Sequence, residues 1–498
     1  MNWFWFRSRH RRVISAGGIN NDGAGQPSRG TAARRVGYAW LGVVLAAAAG
    51  CTGSPGRTGQ GQAATAAASS VFVTKTAPGA PVGRQLTWFL RAVGQLPWSR
   101  RVIEAHFGAG FLAQSSPAQI NSVAGQLPQA LGTSIPSSGA SLTGLLWQDP
   151  ARDPVSLLAV ATFGGVKLAV TISVDRAGLI SGLWLAPYQP APASWAQADR
   201  ELAALAPHAS LLVARVSPGA NCTPVHQMAA AAARPLASMF KLFVLGALAH
   251  QIAAGRVSWH QELTVTDAQK SPGSGTLQNV PDGTRVSVRQ TAAKMIAISD
   301  NTAADMLIDL VGRSAVQAQD RQWSDHAARN VPFLTAREGL LMKIYPALAS
   351  KYLSLAPAHR AGFLASKVDP LPFRQAQAQT LPGSPTDIDT IEYFASPEDI
   401  CRAFAGLQQL AAQPALAPLG PILSADSAGI GLDPAHWPTV WFKGGSEPGV
   451  LTLGYLATNS TGQTFVVAAM LSDPAAALPP SALPGLLAIA RGAFGLIR

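Results

Sequence analysis

The spacing of apolar residues changes several times along the chain, and each change predicts an element. Residues 34–51 begin with two arginines and run through Val-Gly-Tyr-Ala-Trp-Leu-Gly-Val-Val-Leu to small residues and Cys51. A basic start, an apolar stretch of about a dozen residues and a small-residue break form a signal-peptide pattern. The stretch is too short to span a bilayer comfortably. Residues 52–80 are rich in Gly, Ala, Ser and Thr and predict a flexible tether. Helical spacing then appears at Leu86–Val93, Ser99–Phe107 and Pro117–Leu127. Four strand-like runs follow at Leu142–Trp147, Val155–Phe163, Val166–Val174 and Leu179–Leu185, separated by Asp-Pro, Gly-Gly and Asp-Arg-Ala-Gly turns. Helices followed by an antiparallel meander predict an α+β domain over residues 83–188.

A Pro- and Ala-rich stretch at 187–195 leads into a second region, residues 189–498. A helix at about 194–206 precedes strands at Ala209–Val216 and Pro224–Ala229. The run from Met239 through Leu248 is apolar on every side and predicts a buried helix. Late strands fall at Val440–Ser446, Val450–Ala457 and Thr464–Leu471, and Pro480–Ile497 predicts a closing helix. The division is therefore an N-terminal extension with signal at 1–50, a linker at 51–82 and two folded domains.

Charge narrows the function classes. The formal net charge is +12. Residues 1–50 hold seven arginines and one aspartate, so 7 − 1 = +6 of it resides there and 12 − 6 = +6 in the rest. No Lys/Arg cluster with interleaved aromatics appears after residue 101, which argues against nucleic-acid binding. Ala48-Ala49-Gly50-Cys51 resembles the bacterial lipobox, which implies lipidation of Cys51 and an exported protein held on the outer face of the membrane. Cys222 and Cys401 are the other two cysteines. In an exported protein they most simply form a disulfide; two separate buried thiols are the other arrangement. No cysteine or histidine grouping has metal-ligand spacing, and no cofactor is expected.

Candidate chemistry starts at Ser238-Met-Phe-Lys241. At the start of the buried helix, residues three apart share a face, so the Lys241 amine can reach the Ser238 hydroxyl. Desolvation and the helix N-terminus both disfavour an ammonium, leaving Lys241 able to act as base for a Ser238 nucleophile. Alone, Ser-x-x-Lys is a weak signal. Downstream stand Ser299-Asp300-Asn301, in a predicted loop between helices, and Lys443-Gly444-Gly445-Ser446 on a late strand.

Together, in this order and spacing, the three motifs resemble those of class A β-lactamases and penicillin-binding proteins. Phe442-Lys-Gly-Gly-Ser-Glu-Pro-Gly-Val-Leu, Pro332-Phe-Leu-Thr-Ala-Arg-Glu338 and Ile391-Glu-Tyr-Phe-Ala-Ser-Pro-Glu-Asp resemble the LpqF/Cpe group within that family. The resemblance covers residues 85–498. It implies a five-stranded antiparallel sheet flanked by helices plus an all-helical part, behind an N-terminal domain of the NTF2/ketosteroid-isomerase type. The acids of that first domain, Asp149, Asp153 and Asp175, fall in predicted turns, so a ligand-binding or gating role is expected there rather than a second reaction.

The resemblance also implies roles. Ser238 attacks an acyl carbon of an ester, amide or β-lactam, with Lys241 as base. The backbone N–H groups of Ser238 and Ser446 form an oxyanion hole, and Ser299 relays the proton to the leaving group. Asn301 holds Lys241 or a substrate amide. Lys443 supplies positive charge for a substrate carboxylate, with Gly444, Gly445 and Ser446 lining the binding strand. Asp300 reads as a structural brace. Three departures stand out. Gly444 occupies a position where threonine or serine is usual, and Ser446 could supply the missing hydroxyl. The stretch Asn301–Thr335 contains no glutamate, so the deacylating Glu-x-x-x-Asn is missing. Glu338, the nearest glutamate, begins a predicted helix where it is stabilising. Residues Lys343–Ala405 form an expansion expected to add helices near the site, with Cys401 able to pin it to Cys222. The expected activity is a serine hydrolase with slow deacylation. A D-alanyl-D-alanine peptidase and a penicillin-reactive lipoprotein without turnover are the alternatives. The sequence does not set an oligomeric state.

Overall fold

A computed structural model describes residues 41–43, 79–113, 115–149 and 155–497. Cys51, the expected lipidation site, and most of the expected signal and tether lie outside these residues. Leu41–Val43 form a three-residue strand paired parallel to Leu183–Leu185. The first helix starts at Pro81, inside the span expected for the linker, because proline is favoured in the first helical turn.

In the N-terminal domain, helices Pro81–Ala92, Arg100–His106, Ala109–Leu112, Pro117–Gly125 and Leu127–Leu131 pack against one face of an antiparallel meander. Its strands are Ser141–Asp149, Val155–Phe163, Val166–Val174 and Ile180–Pro187. Alternation on the third strand buries Leu168, Val170, Ile172 and Val174 against Leu86 and Phe89. The Ala109–Leu112 helix escapes a sequence reading because it is flanked and interrupted by glycine. Asp175 sits in a turn, accepting from the Ala177 and Leu179 backbone N–H groups at 2.9 and 3.0 Å.

The C-terminal domain is built on a five-stranded antiparallel sheet. Its strands are β1 His208–Ser217, β2 Asn221–Met228, β3 Thr439–Glu447, β4 Val450–Thr458 and β5 Thr464–Ser472, in spatial order β3-β4-β5-β1-β2. The chain therefore leaves the sheet after β2 and returns more than 200 residues later to complete it. One face is covered by α1 (Trp195–Ala203) and the terminal helix Ala482–Leu496, around a core that includes Leu211, Tyr455 and Phe494. The other face carries the helical part, whose axis is α2 (Lys241–Ala253). Leu242 through Leu245 and Leu248 on α2 are fully buried, as a helix apolar all round requires.

Around α2 pack α3 (Val288–Ala297), α4 (Asn301–Val311), α5 (Arg313–Trp323), α6 (Ala336–Ile344) and α7 (Pro397–Ala411). Gly246 and Gly406 both lie against Trp323, where an added Cβ would come within 2.3 and 2.5 Å of the indole. The expansion between α6 and α7 contains helices Pro346–Ser354 and Pro357–Phe363, a π-helical turn Leu364–Val368, and the short helix Gln375–Ala378. Cys222 on β2 and Cys401 on α7 are disulfide-bonded, with Cα atoms 6.3 Å apart. The bond ties an edge strand to a helix of the opposite layer.

Candidate active site

Ser238 lies in a single 3₁₀ turn, Ala237–Phe240, and the α-helix proper begins only at Lys241. This corrects the expectation that Ser238 opens the helix itself, and it sharpens the geometry. With three residues per turn, positions i and i+3 stand directly in line. Lys241 Nζ accordingly lies 3.0 Å from Ser238 Oγ. Two non-glycine residues here have left-handed backbone, Ala237 at φ 45° and Ser299 at φ 55°. Such conformations cost of order 1–3 kcal/mol each and persist where the surroundings over-determine them.

Lys241 is fully buried, and its amine meets four polar atoms of three residues. Its amine donates to the Ser299 carbonyl at 2.7 Å and to Asn301 Oδ1 at 2.8 Å, and it also meets Ser238 Oγ and Ser299 Oγ, the latter at 3.1 Å. Burial, aided by the neighbouring Lys443 charge, pushes the Lys241 amine well below the usual lysine range. A neutral amine has two hydrogens and one lone pair. The two partners that can only accept, the carbonyls of Ser299 and Asn301, consume both hydrogens. The lone pair is left for a hydroxyl hydrogen, and Ser238 can supply it.

Ser299 Oγ sits between two amines, 3.1 Å from Lys241 Nζ and 3.1 Å from Lys443 Nζ. Lys443 also donates to the Gly444 carbonyl at 2.7 Å. Burial lowers Lys443 to about 7, with Asp426 opposing the shift. Asp300 takes no part in this network. It caps α4, accepting from Ala303, Thr276 and Leu277 backbone N–H groups at 2.9, 2.6 and 2.9 Å. Gly275, at φ 101°, makes room for it; a Cβ there would stand 2.2 Å from the Asp300 carboxyl carbon.

Strand β3 brings the third motif to the nucleophile from an edge of the sheet. An added Cβ on Gly445 would come within 2.2 Å of the Leu236 carbonyl and 2.6 Å of the Ser238 nitrogen, so glycine is required for this close approach. Alternation along β3 places Lys443 and Gly445 on the face of Ser238, and Gly444 and Ser446 on the other. Ser446 thus presents its hydroxyl on the same face as the side chain that Gly444 lacks.

Glu338 is fully buried and held in place twice over. It closes a capping box with Thr335 at the start of α6, and it receives Arg313 in a fork at 3.0 and 2.7 Å. Asp305 on α4 accepts from the Ala336 and Arg337 N–H groups at 2.7 and 2.9 Å. Its burial raises its pKa to about 8. Sequence reading passed over Asp305 and Arg313, which are ordinary helix residues until the fold brings α6 beside α4 and α5. It also passed over Tyr393, which stacks on Phe240 at 3.8 Å and donates to the Leu334 carbonyl at 3.0 Å.

The profile of the β-lactamase enzyme family matches residues 204–413, a span that includes Ser238, Lys241, Ser299 and Asn301 and ends before β3. No curated protein matches the chain. Among solved structures, the β-lactamase from Sphaerobacter thermophilus is 21% identical, with 61% of this chain and 97% of that chain covered and a TM-score of 0.41. The structure of PBP-A is 19% identical, covering 62% and 98%, at a TM-score of 0.41. The β-lactamase from Burkholderia phymatum is 17% identical, covering 61% and 97%, at 0.40. Over residues 204–413 the chain is similar to the β-lactamase enzyme family.

Proposed function

We propose that the protein is an exported, lipid-anchored serine hydrolase of the LpqF/Cpe type that forms an acyl-enzyme on Ser238 with an ester, amide or β-lactam substrate. The observation that carries this reading is the filling of the Lys241 amine by two obligate acceptors, which aims its lone pair at Ser238. Lys241 takes the hydroxyl proton as Ser238 Oγ bonds to the acyl carbon. Ser299, between the two amines, passes a proton to the leaving group. Lys443 attracts a carboxylate on the substrate. The N-terminal domain is read as an NTF2-like ligand-binding or gating module; its Phe89, Trp98, Phe107 and Leu127 surround a small apolar cavity of about 20 Å³, and the Trp98 indole N–H donates to the Ala92 carbonyl at 2.7 Å.

Intact-mass spectrometry after incubation with penicillin and with small p-nitrophenyl esters tests the assignment. An adduct of the expected mass should form on the parent and be absent from Ser238→Ala. No adduct and no ester release would overturn the reading in favour of a binding lipoprotein. Rapid release of a terminal D-alanine from a D-alanyl-D-alanine peptide would make it a cell-wall peptidase.

The charge on Lys443 adds a pH signature. A lysine lowered to about 7 is an ammonium below that pH and neutral above it. Acylation by penicillin, which carries a carboxylate, should therefore fall as pH rises through about 7. Acylation by an uncharged ester should lack that descending limb. Rates measured between pH 5 and 9 with both substrates check this, and parallel profiles would remove Lys443 from carboxylate recognition.

A further inference from the structure

Beyond Ser446 the same strand carries a carboxyl group that the acylation chemistry leaves unused. Lys443, Gly445 and Glu447 share one face of β3, the face of Ser238. Glu447 is two residues past Gly445, about 6–7 Å along the strand, and Gly445 abuts the Ser238 nitrogen. The register partner of Glu447 is Val450, which packs on Ala237, the residue before the nucleophile. The neighbours of Glu447 also converge there. Lys343, at the end of α6, donates to Glu447 Oε2 at 2.5 Å and to Glu392 Oε2 at 3.2 Å. Glu392 precedes Tyr393, whose carbonyl accepts the Leu236 N–H at 2.8 Å.

Two carboxyl groups and one ammonium are buried together here. Glu447 Oε1 receives no hydrogen bond from any described residue, which a buried carboxylate tolerates poorly. A proton held on Glu447 and shared with Glu392 resolves this. Burial and the Glu392 charge push Glu447 well above the usual carboxylate range, against the pull of Lys343. For Glu392, the Lys343 charge and the hydrogen bonds outweigh burial, and its pKa is lowered. Such a pair holds one proton and can exchange it.

We propose that Glu447 is the general base of deacylation, reaching the Ser238 acyl group through one water molecule. The water oxygen bonds to the acyl carbon as its proton passes to the Glu447 carboxylate. The bond from the acyl carbon to Ser238 Oγ then breaks. The proton held on Glu447 returns to Ser238 Oγ by way of water and Lys241 Nζ, which releases the free acid and restores the enzyme. Because burial and the Glu392 charge hold Glu447 well above the usual carboxylate range, its carboxylate form, and with it turnover, grows as pH rises. This inference rests on the acyl-enzyme reading above.

The test follows the penicillin adduct by intact mass, with formation and loss timed separately between pH 5 and 9. Glu447→Gln should form the adduct within a few-fold of the parent rate and lose it roughly 100-fold or more slowly. In the parent, loss should accelerate with pH through a midpoint above the ordinary carboxylate range, and in Glu447→Gln that dependence should vanish. Equal adduct lifetimes in parent and variant would overturn the assignment while leaving the acyl-enzyme intact. So would formation and loss slowing together with a drop in melting temperature, the mark of a merely structural cluster. If the variant does not fold, a pH-independent loss from the parent overturns it equally. Absence of any adduct on the parent removes the acyl-enzyme reading and this inference with it.

Discussion

Lys241→Met should form the Ser238 acyl adduct about 10²–10⁴-fold more slowly than the parent, the usual contribution of a positioned general base. Methionine follows the course of the lysine stem but supplies neither a lone pair for the Ser238 hydroxyl nor hydrogens for its neighbours. The substitution strands the carbonyls of Ser299 and Asn301, which the amine now satisfies at 2.7 and 2.8 Å. Each buried acceptor left unpaired costs about 1–3 kcal/mol. A melting curve must therefore accompany the rate, and both belong at a temperature where the variant is folded. Serine attack that survives in a folded Lys241→Met would show that another group takes the proton. The parent should keep its acylation activity well below the pH at which an ordinary lysine loses its proton, since burial already keeps Lys241 neutral.

Arg313→Met should lower stability by about 3–5 kcal/mol, the cost of removing one partner from a buried ion pair. In a domain of this size that corresponds to a drop in melting temperature of roughly 5–15 °C. Glu338 is fully buried, and the Arg313 fork is its charge partner on α5. The expected asymmetry is that Glu338→Gln, which removes the charge as well, destabilises less than Arg313→Met does. Thermal melts of both variants decide it. If Glu338→Gln instead left the melting temperature alone and prolonged the penicillin adduct, Glu338 would be the deacylating group.

Much of this architecture is legible from local pattern. The strands at Val155–Phe163 and Val166–Val174 form with the boundaries that period and turn residues predict. The buried helix after Ser238 announces itself by being apolar on every side. The three motifs point to one another only through a resemblance, yet the fold brings Ser238, Lys241, Ser299, Asn301 and Lys443 into one hydrogen-bond network. What pattern could not reach are groups whose meaning lies in a distant partner. Arg313 and Glu338 sit on different helices, and nothing in the spacing around either names the other. Glu447 is a partial exception. Its place two residues after Gly445 and four after Lys443 puts it on the site face of any strand drawn through that motif, and only its partners Lys343 and Glu392 were hidden.

The order of strands in the larger sheet carries a consequence for the making of the protein. Strands β1 and β2 are laid down before the nucleophile, while β3, β4 and β5 emerge from the ribosome some 200 residues later. Within the sheet, β5 stands between β4 and β1, so the strand bearing Lys443 is joined to β1 only by way of β4 and β5. A growing chain that has passed residue 435 already contains Ser238 and Lys241 but has no Lys443 and no strand beside the serine. A chain cut before β5 would leave the paired edge of β1 open to whatever strand it met first.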